Sequence, residues 1–375
     1  MASPVGTSTT YTLSTGIKLD IEDMIYMISP YDTPLIGGFG ADGLTHLASE
    51  PVFEKMAQWL DETLLTPRTS LASTANTADA FIYVTTGTGV NFQTGDLLLM
   101  AGGVEYVQVT GAGITVDTLA VTRAFSGTAV LQSVNTPVTG VGQVLPEGSD
   151  AQAAVAIDRN NRYNMTEIFG PRTIQVSGSE NAVQKYGLTG TEFDHQVANR
   201  IKEAGITMEQ AVLYGTRTEN TGTGVRSMGG MLYYISSNVD STTTSLTETA
   251  LLTQLQACFD AGGNPDRIVV GSKQKRNISA INSSEIRYVQ ATNVRGQKID
   301  TYESDFGMIS IVLDRWVRPS DLFIFAREQA VLGTLRPMQF EALAKTGDST
   351  KAMIVAEKTL KFHMQSHAAM FTALT

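Results

Sequence analysis

The sequence predicts an α+β protein made of several folding regions, and three observations predict it. Residues 80–145 hold short apolar runs punctuated by glycine, the pattern of closely spaced strands. One stretch, "TEFDHQVANRIKEAGITMEQAVLYG", repeats apolar residues at three- and four-residue steps, the pattern of a long helix. Residues 225–335 alternate the two patterns, as a compact α/β module does.

The 375 residues leave room for two or three domains with real cores. A hydrophobic share of 42% with 17% charged residues argues against disorder. The net charge of −10 excludes nucleic-acid binding by broad charge neutralisation. One cysteine, Cys258, cannot make an internal disulfide; it fits a reducing compartment and reads as a buried helix thiol. "MASPVGTSTTYTLSTG" has no basic start and no apolar core, so it does not read as a signal peptide. No run approaches the ~20 apolar residues of a membrane-spanning helix. The expectation is a soluble chain made in the cytoplasm, without membrane contact.

Taken in order, residues 1–20 are polar and Thr/Ser-rich, an arm with nothing of its own to pack on. Ile21, Met24, Ile25 and Ile28 then sit at helical spacing until Pro30 stops the helix. Residues 50–70 mix apolar and charged side chains without a period and read as a long, partly extended excursion. "FIYVTT", "GDLLLMAG", "VEYVQVTG", "ITVDTLAVTR" and "TAVLQSV" predict strands of a small barrel or sandwich inserted as a unit. Residues 161–179 return to strand. The long helix follows, with Thr191 as cap, Asp194 three residues on and Gly215 at its end. "SLTETALLTQLQACFDAGG" predicts a helix opened by a Ser245/Glu248 capping box and closed by Gly262. "DRIVVG", "MISIVLDRWV" and "DLFIFA" read as strands, "SKQKRNISAI" as a helix, and the tail as two strands around a polar turn with a third segment after.

Motifs that carry chemistry are weak. Lys345-Thr346-Gly347 spells the K-T-G box of serine acylases, and Ser272-Lys273-Gln274-Lys275 spells their S-x-x-K. The third box needs Ser-Asp-Asn, but Ser304-Asp305-Phe306 and Ser320-Asp321-Leu322 both lack the amide. Gly347 and Asp348 read instead as a hairpin turn. "GFGADG" (38–43) follows a proline loop rather than a strand, which a dinucleotide fingerprint requires. His363 and His367 are four apart, but no carboxylate or cysteine cluster completes a metal set. "KQKR" (273–276) is the one basic cluster and reads as a solvated face. No catalytic, cofactor-binding or metal-binding residue is assigned.

A positive pattern remains. Ser29-Pro30-Tyr31-Asp32-Thr33-Pro34 follows the first helix, and Trp59-Leu60-Asp61-Glu62-Thr63-Leu64 lies in the excursion. "VSGSENAV" (176–183) precedes the long helix, "LDRWV" (313–317) sits in the α/β module and "LAKTGDS" (343–349) in the tail. In this order the chain resembles a major capsid protein of tailed bacteriophages, with the Hong Kong-type (HK-97-like) fold, and within it the SU-ten-type subgroup.

The resemblance implies residues 1–44 as an N-terminal arm and first helix, 45–80 and 141–175 as the two limbs of an extended loop, and 81–140 as a β-rich insertion. It implies 176–224 and 335–375 as a peripheral domain and 225–334 as an axial domain. It implies a structural protein, not an enzyme, that assembles with itself into hexamers and pentamers of an icosahedral-type shell in the virion. The further partners implied are a portal, a separate scaffolding or decoration protein, and packaged double-stranded DNA confined without sequence-specific binding. The alternative is another virion component, from the decoration or the tail. Some members cross-link a loop lysine to an asparagine of the peripheral domain. Here Lys55 is the only lysine in 45–80 and no asparagine follows Asn293, so uncross-linked shells are expected. Gly205, inside the long helix, is expected to permit a bend during shell expansion or to pack closely on a neighbour.

Overall fold

In a computed structural model of the chain, the described residues are 27, 29–37, 47–64, 66–100, 105–111, 117–150, 159–188, 190–280 and 300–375. The expected first helix and "GFGADG" lie outside them. The contacts divide the chain into two units, Leu60–Asn160 and the remainder.

The chain enters through β1 (Ala48–Pro51) and β2 (Met56–Glu62). The smaller unit then holds β3 (Arg68–Ser70), β4 (Phe81–Tyr83), β5 (Asp96–Met100), β6 (Glu105–Val109), β7 (Thr118–Gly127) and β8 (Pro137–Gln143). They form one six-stranded sheet in the order β3-β8-β5-β6-β7-β4. The terminal strands meet through the bridge between Leu71 and Val84, so the sheet closes on itself and its edges disappear. Inward residues alternate along the strands, and Leu98, Met100, Val107, Val109, Leu119 and Val138 fill the interior.

"TAVLQSV" is not a strand. It makes one isolated bridge, between Ala75 and Gln132, and Leu131 and Val134 are exposed. A buried ion pair holds it instead. Arg123 grips both oxygens of Glu105 at 2.6 and 2.8 Å and donates to the Val130 carbonyl at 2.7 Å. β8, which follows it, provides the strand that this part of the sheet needs.

β9 (Arg159–Met165) pairs with β2 in a two-stranded ribbon. Next come β10 (Glu167–Ser177), α1 (Gly178–Ala182), α2 (Glu192–Tyr214), β11 (Thr218–Asn220), β12 (Val225–Ser227), α3 (Met231–Tyr234) and β13 (Asn238–Asp240). α4 (Glu248–Asp260), β14 (Arg267–Val270), α5 (Ser272–Ala280), β15 (Asp300–Ser304), β16 (Gly307–Leu313) and β17 (Leu322–Phe325) follow. β18 (Ala330–Leu343), β19 (Ser349–Phe362) and β20 (Ala369–Phe371) complete the chain.

Two sheets organise this larger unit. One has the order β1-β18-β19-β10, with the 14-residue strands β18 and β19 antiparallel at its centre. β19 runs unbroken while both neighbours bulge. β10 shifts register between Phe169 and Arg172, and β18 shifts on either side of Arg336. The β10 shift includes Pro171 and the second β18 shift includes Pro337, and a proline's missing N–H cannot join a ladder. Gly170, at φ +111°, lets the β10 bulge press against the Ile354 carbonyl.

The other sheet has the order β13-β20-β17-β14-β16-β15. Its central strands are apolar throughout because both faces are covered. Ile268, Val270, Leu322 and Ile324 face the core that holds Leu251, Leu255 and Cys258 of α4. Val269, Phe323 and Phe325 face the core that holds Met208, Val212 and Leu213 of α2.

The cap of α2 is as expected: the Thr191 hydroxyl accepts from the Asp194 N–H at 3.2 Å. The cap of α4 is not. Thr247, rather than Ser245, accepts from the Ala250 N–H at 3.2 Å, so the helix starts at Glu248. β16 also stops at Leu313, earlier than "LDRWV" suggests, because Asp314 turns the chain. Gly215 ends α2 for want of space rather than for a left-handed backbone. Its φ is −57°, but an added Cβ would lie 2.5 Å from the carbonyls of Ala211 and Met228. Gly215→Ala is therefore expected to destabilise the fold by about 1–3 kcal/mol, read as a lower denaturant midpoint.

Candidate assembly site

Segment 29–37 docks on the body through groups from α2 and from the turn after β16. The carboxylate of Glu209 on α2 accepts from the backbone N–H groups of Leu35 at 2.7 Å and Ile36 at 3.0 Å. Arg315 pairs with Asp32 at 2.7 Å, and the Trp316 indole donates to the Asp32 carbonyl at 2.8 Å. Lys202 lies 4.5 Å from the centre of the Tyr31 ring. Two of the sequence motifs thus face each other: Tyr31 and Asp32 come from the first, Arg315 and Trp316 from "LDRWV".

Asp314 sits beside Glu209, and both are fully buried. Desolvation pushes Glu209 up to about 8, with the neighbouring Asp314 adding to the rise. Desolvation also lifts Asp314, to about 6, against the hydrogen bond it accepts from the Trp316 N–H. The sequence reading did not single out Glu209, because the apolar spacing of the helix carries no sign of it; the amides of Leu35 and Ile36 show its use.

The base of the β2–β9 ribbon is anchored on both limbs. Trp59 is buried, with its ring 5.7 Å from Tyr234 and 5.6 Å from His363. On β9, the buried Asn164 amide donates to the carbonyls of Gly229 at 2.9 Å and Leu360 at 2.6 Å. Arg217 stacks 4.0 Å from Tyr163 and 5.2 Å from Tyr233. His363 thus packs at this base, immediately after β19, while His367 ends a short 3-10 turn. Phe53, just ahead of β2, is 91% exposed, and Leu60 and Leu64 are exposed as well.

A second buried carboxylate, Glu357 on β19, is held between Arg226 and Arg336, the latter at 2.9 Å, and accepts from the Thr166 hydroxyl at 2.9 Å. Although burial opposes it, these donors hold its carboxyl below the usual range.

"KTGDS" is the exposed tip of the β18–β19 hairpin. The Ser349 N–H closes on the Gly347 carbonyl at 2.9 Å, and Lys351 donates to the Thr346 hydroxyl at 3.0 Å. Ser272 begins the nine-residue α5, which packs on β14 of the other sheet. Within α5, Lys273 and Arg276 are exposed, while Gln274 is buried and donates to the Pro319 carbonyl at 2.6 Å. No hydrogen bond among the described residues joins the K-T-G and S-x-x-K boxes.

The model of the SU10 major capsid protein family matches residues 4–375. The chain belongs to the SU10 major capsid protein family. This capsid protein is a shell-forming structural protein of the virion, a member of a family of structural proteins rather than enzymes. A search of the curated proteins finds no match. Solved structures share the architecture. The capsid of the native GTA particle aligns at a TM-score of 0.54 and 8% identity, over 99% of this chain and 100% of that one. The capsid of Myoviridae Phage XM1 aligns at 0.53 and 8% identity, over 96% and 100%. A chain of Microbacterium phage Oxtober96 aligns at 0.52 and 11% identity, over 98% and 99%. At such identities the likeness speaks for the fold, which is the HK-97-like capsid fold. A decoration or tail component is set aside by the family match.

Removing one partner of the Glu357 cluster leaves buried charge poorly compensated. Arg226→Met in the capsid protein is expected to cost about 2–4 kcal/mol in chemical denaturation. The lowered Glu357 carboxyl contributes stability that is present at neutral pH and lost on acidification through its folded range, and Glu357→Gln should reduce that acid sensitivity.

Proposed function

We propose that the capsid protein builds hexamers and pentamers of an icosahedral-type shell that confines double-stranded DNA without reading its sequence. The observation that carries this reading is the β2–β9 ribbon. A two-stranded ribbon has little stability alone. Here its base is anchored by Trp59 and Asn164, while Phe53, Leu60 and Leu64 are left without apolar cover. Such side chains find cover when laid across a neighbouring subunit, where repeated heterologous contacts close into a shell.

Residues 1–44 then serve as the arm, 45–80 and 141–175 as the limbs of the extended loop, and 81–140 as an insertion upon it. Residues 176–224 and 335–375 serve as the peripheral domain and 225–334 as the axial domain. Synthesis takes place in the host cytoplasm, with a portal and a separate scaffolding or decoration protein as partners. The net charge of −10 favours loose confinement of DNA over tight binding at the wall. The K-T-G loop performs no acyl transfer. Gly205 lies on the buried side of α2, next to Ala204 and Met208, which favours a packing role without excluding a bend.

Negative-stain microscopy and sedimentation, first of the protein expressed alone and then with candidate scaffolding proteins, are expected to reveal rings, sheets or closed shells. A 40.3 kDa monomer under both conditions would contradict the proposal. Lys55 is engaged by Glu219 at 3.0 Å, and mature shells are expected to dissolve to single-chain bands on a denaturing gel. High-mass ladders would show covalent linkage between subunits.

A further inference from the structure

Glu105 and Glu357, two other buried carboxylates, each meet arginine. Glu209 and Asp314 lie side by side at zero exposure, and among the described residues neither forms a salt bridge. One Asp314 oxygen accepts from the Trp316 N–H at 2.8 Å, whereas Oδ2 is buried without a protein donor. Both Glu209 oxygens are occupied by the amides of Leu35 and Ile36. Two adjacent buried carboxylates cannot both carry charge without strong repulsion in a medium of low polarity.

We propose that Glu209 and Asp314 share one proton and act as a pH-operated latch that holds segment 29–37 against the long helix. In the closed latch Glu209 carries the proton and gives it to the Asp314 carboxylate as a hydrogen bond. Its remaining lone pairs accept from Leu35 and Ile36. Undocking the segment exposes both groups to water, where each returns to the ordinary carboxyl range. The docked state therefore binds more protons than the undocked state. Docking is tightest in acid, weakens as pH rises through the raised range of the pair, and levels off above it.

The charged groups around the latch behave differently. Segment 29–37 brings Asp32, and the turn after β16 brings Arg315, Arg318 and Asp321. α2 brings Lys202 and Tyr214, whose hydroxyl accepts from the Arg318 N–H at 2.8 Å. The Asp32–Arg315 pair is partly exposed. It is screened by salt, whereas the buried pair is not.

Hydrogen exchange on the full chain, corrected for the intrinsic chemical rate, separates the two. Between about pH 5.5 and about pH 8.5, protection of the amides in 29–37 is expected to fall about tenfold or more relative to the amides of β19. The single variants Glu209→Gln and Asp314→Asn should each flatten this slope, and the double variant should remove it. A slope that persists when salt is raised to about 0.5 M belongs to the buried pair. Wild-type protection that stays constant with pH, a double variant that retains the slope, or a slope abolished by salt would each overturn the latch. Should one single variant fail to fold, the other and the wild-type pH and salt series still decide.

Discussion

The pairing of β18 with β19 is the constraint on which the larger unit depends. Fourteen residues on each side leave every neighbouring element a defined place to attach. β1 adds in parallel to one flank and β10 antiparallel to the other. α2 lies on one face through Phe193, Val197 and Ile201 against Ile174, Val176 and Ile354. The base of the ribbon rests on the far end of β19, where Leu360 receives Asn164 and Phe362 stacks near Tyr234. Because side chains alternate with a period of two, a one-residue slip of β19 would turn Ile354 and Leu360 outward and Glu357 into the apolar core. The register shifts fall in β18 and β10, two of them at prolines, and β19 between them is one unbroken strand.

A second theme is the placement of buried charge. Glu105 is held by Arg123 and backbone amides and Glu357 by Arg226, Arg336 and the Thr166 hydroxyl, so each behaves as a cross-link, one within the small barrel and one across β12, β18 and β19. Glu209 and Asp314 are compensated by amides alone. The same burial that stiffens a paired carboxylate makes an unpaired one responsive to protons.

Much of the fold was legible in the chain. The helix over 192–214 was readable because its apolar spacing persists for six turns and Thr191 marks its start. The strands at 96–100 and 105–109 were readable because they are short apolar runs punctuated by glycine. "TAVLQSV" misled because β-branched and apolar composition measures fit to a pleated surface, and this segment is held by Arg123 from outside the ladder. Ser245 misled because the stretch ahead of α4, "STTTSLT", is almost all hydroxyl residues, and local pattern cannot say which one faces the free amides. "LDRWV" was notable as a motif, yet no spacing rule links it to Asp32, which lies 283 residues away from Arg315.

The sequence by itself determined the classes of element, their order and the net negative charge, because periodicity, turn residues and net charge are local or additive properties. Tertiary structure alone decided which carboxylates meet arginine and which meet each other, and where the ribbon is anchored. Those outcomes depend on groups brought together from distant parts of the chain, and burial gives them a strength that no local pattern records.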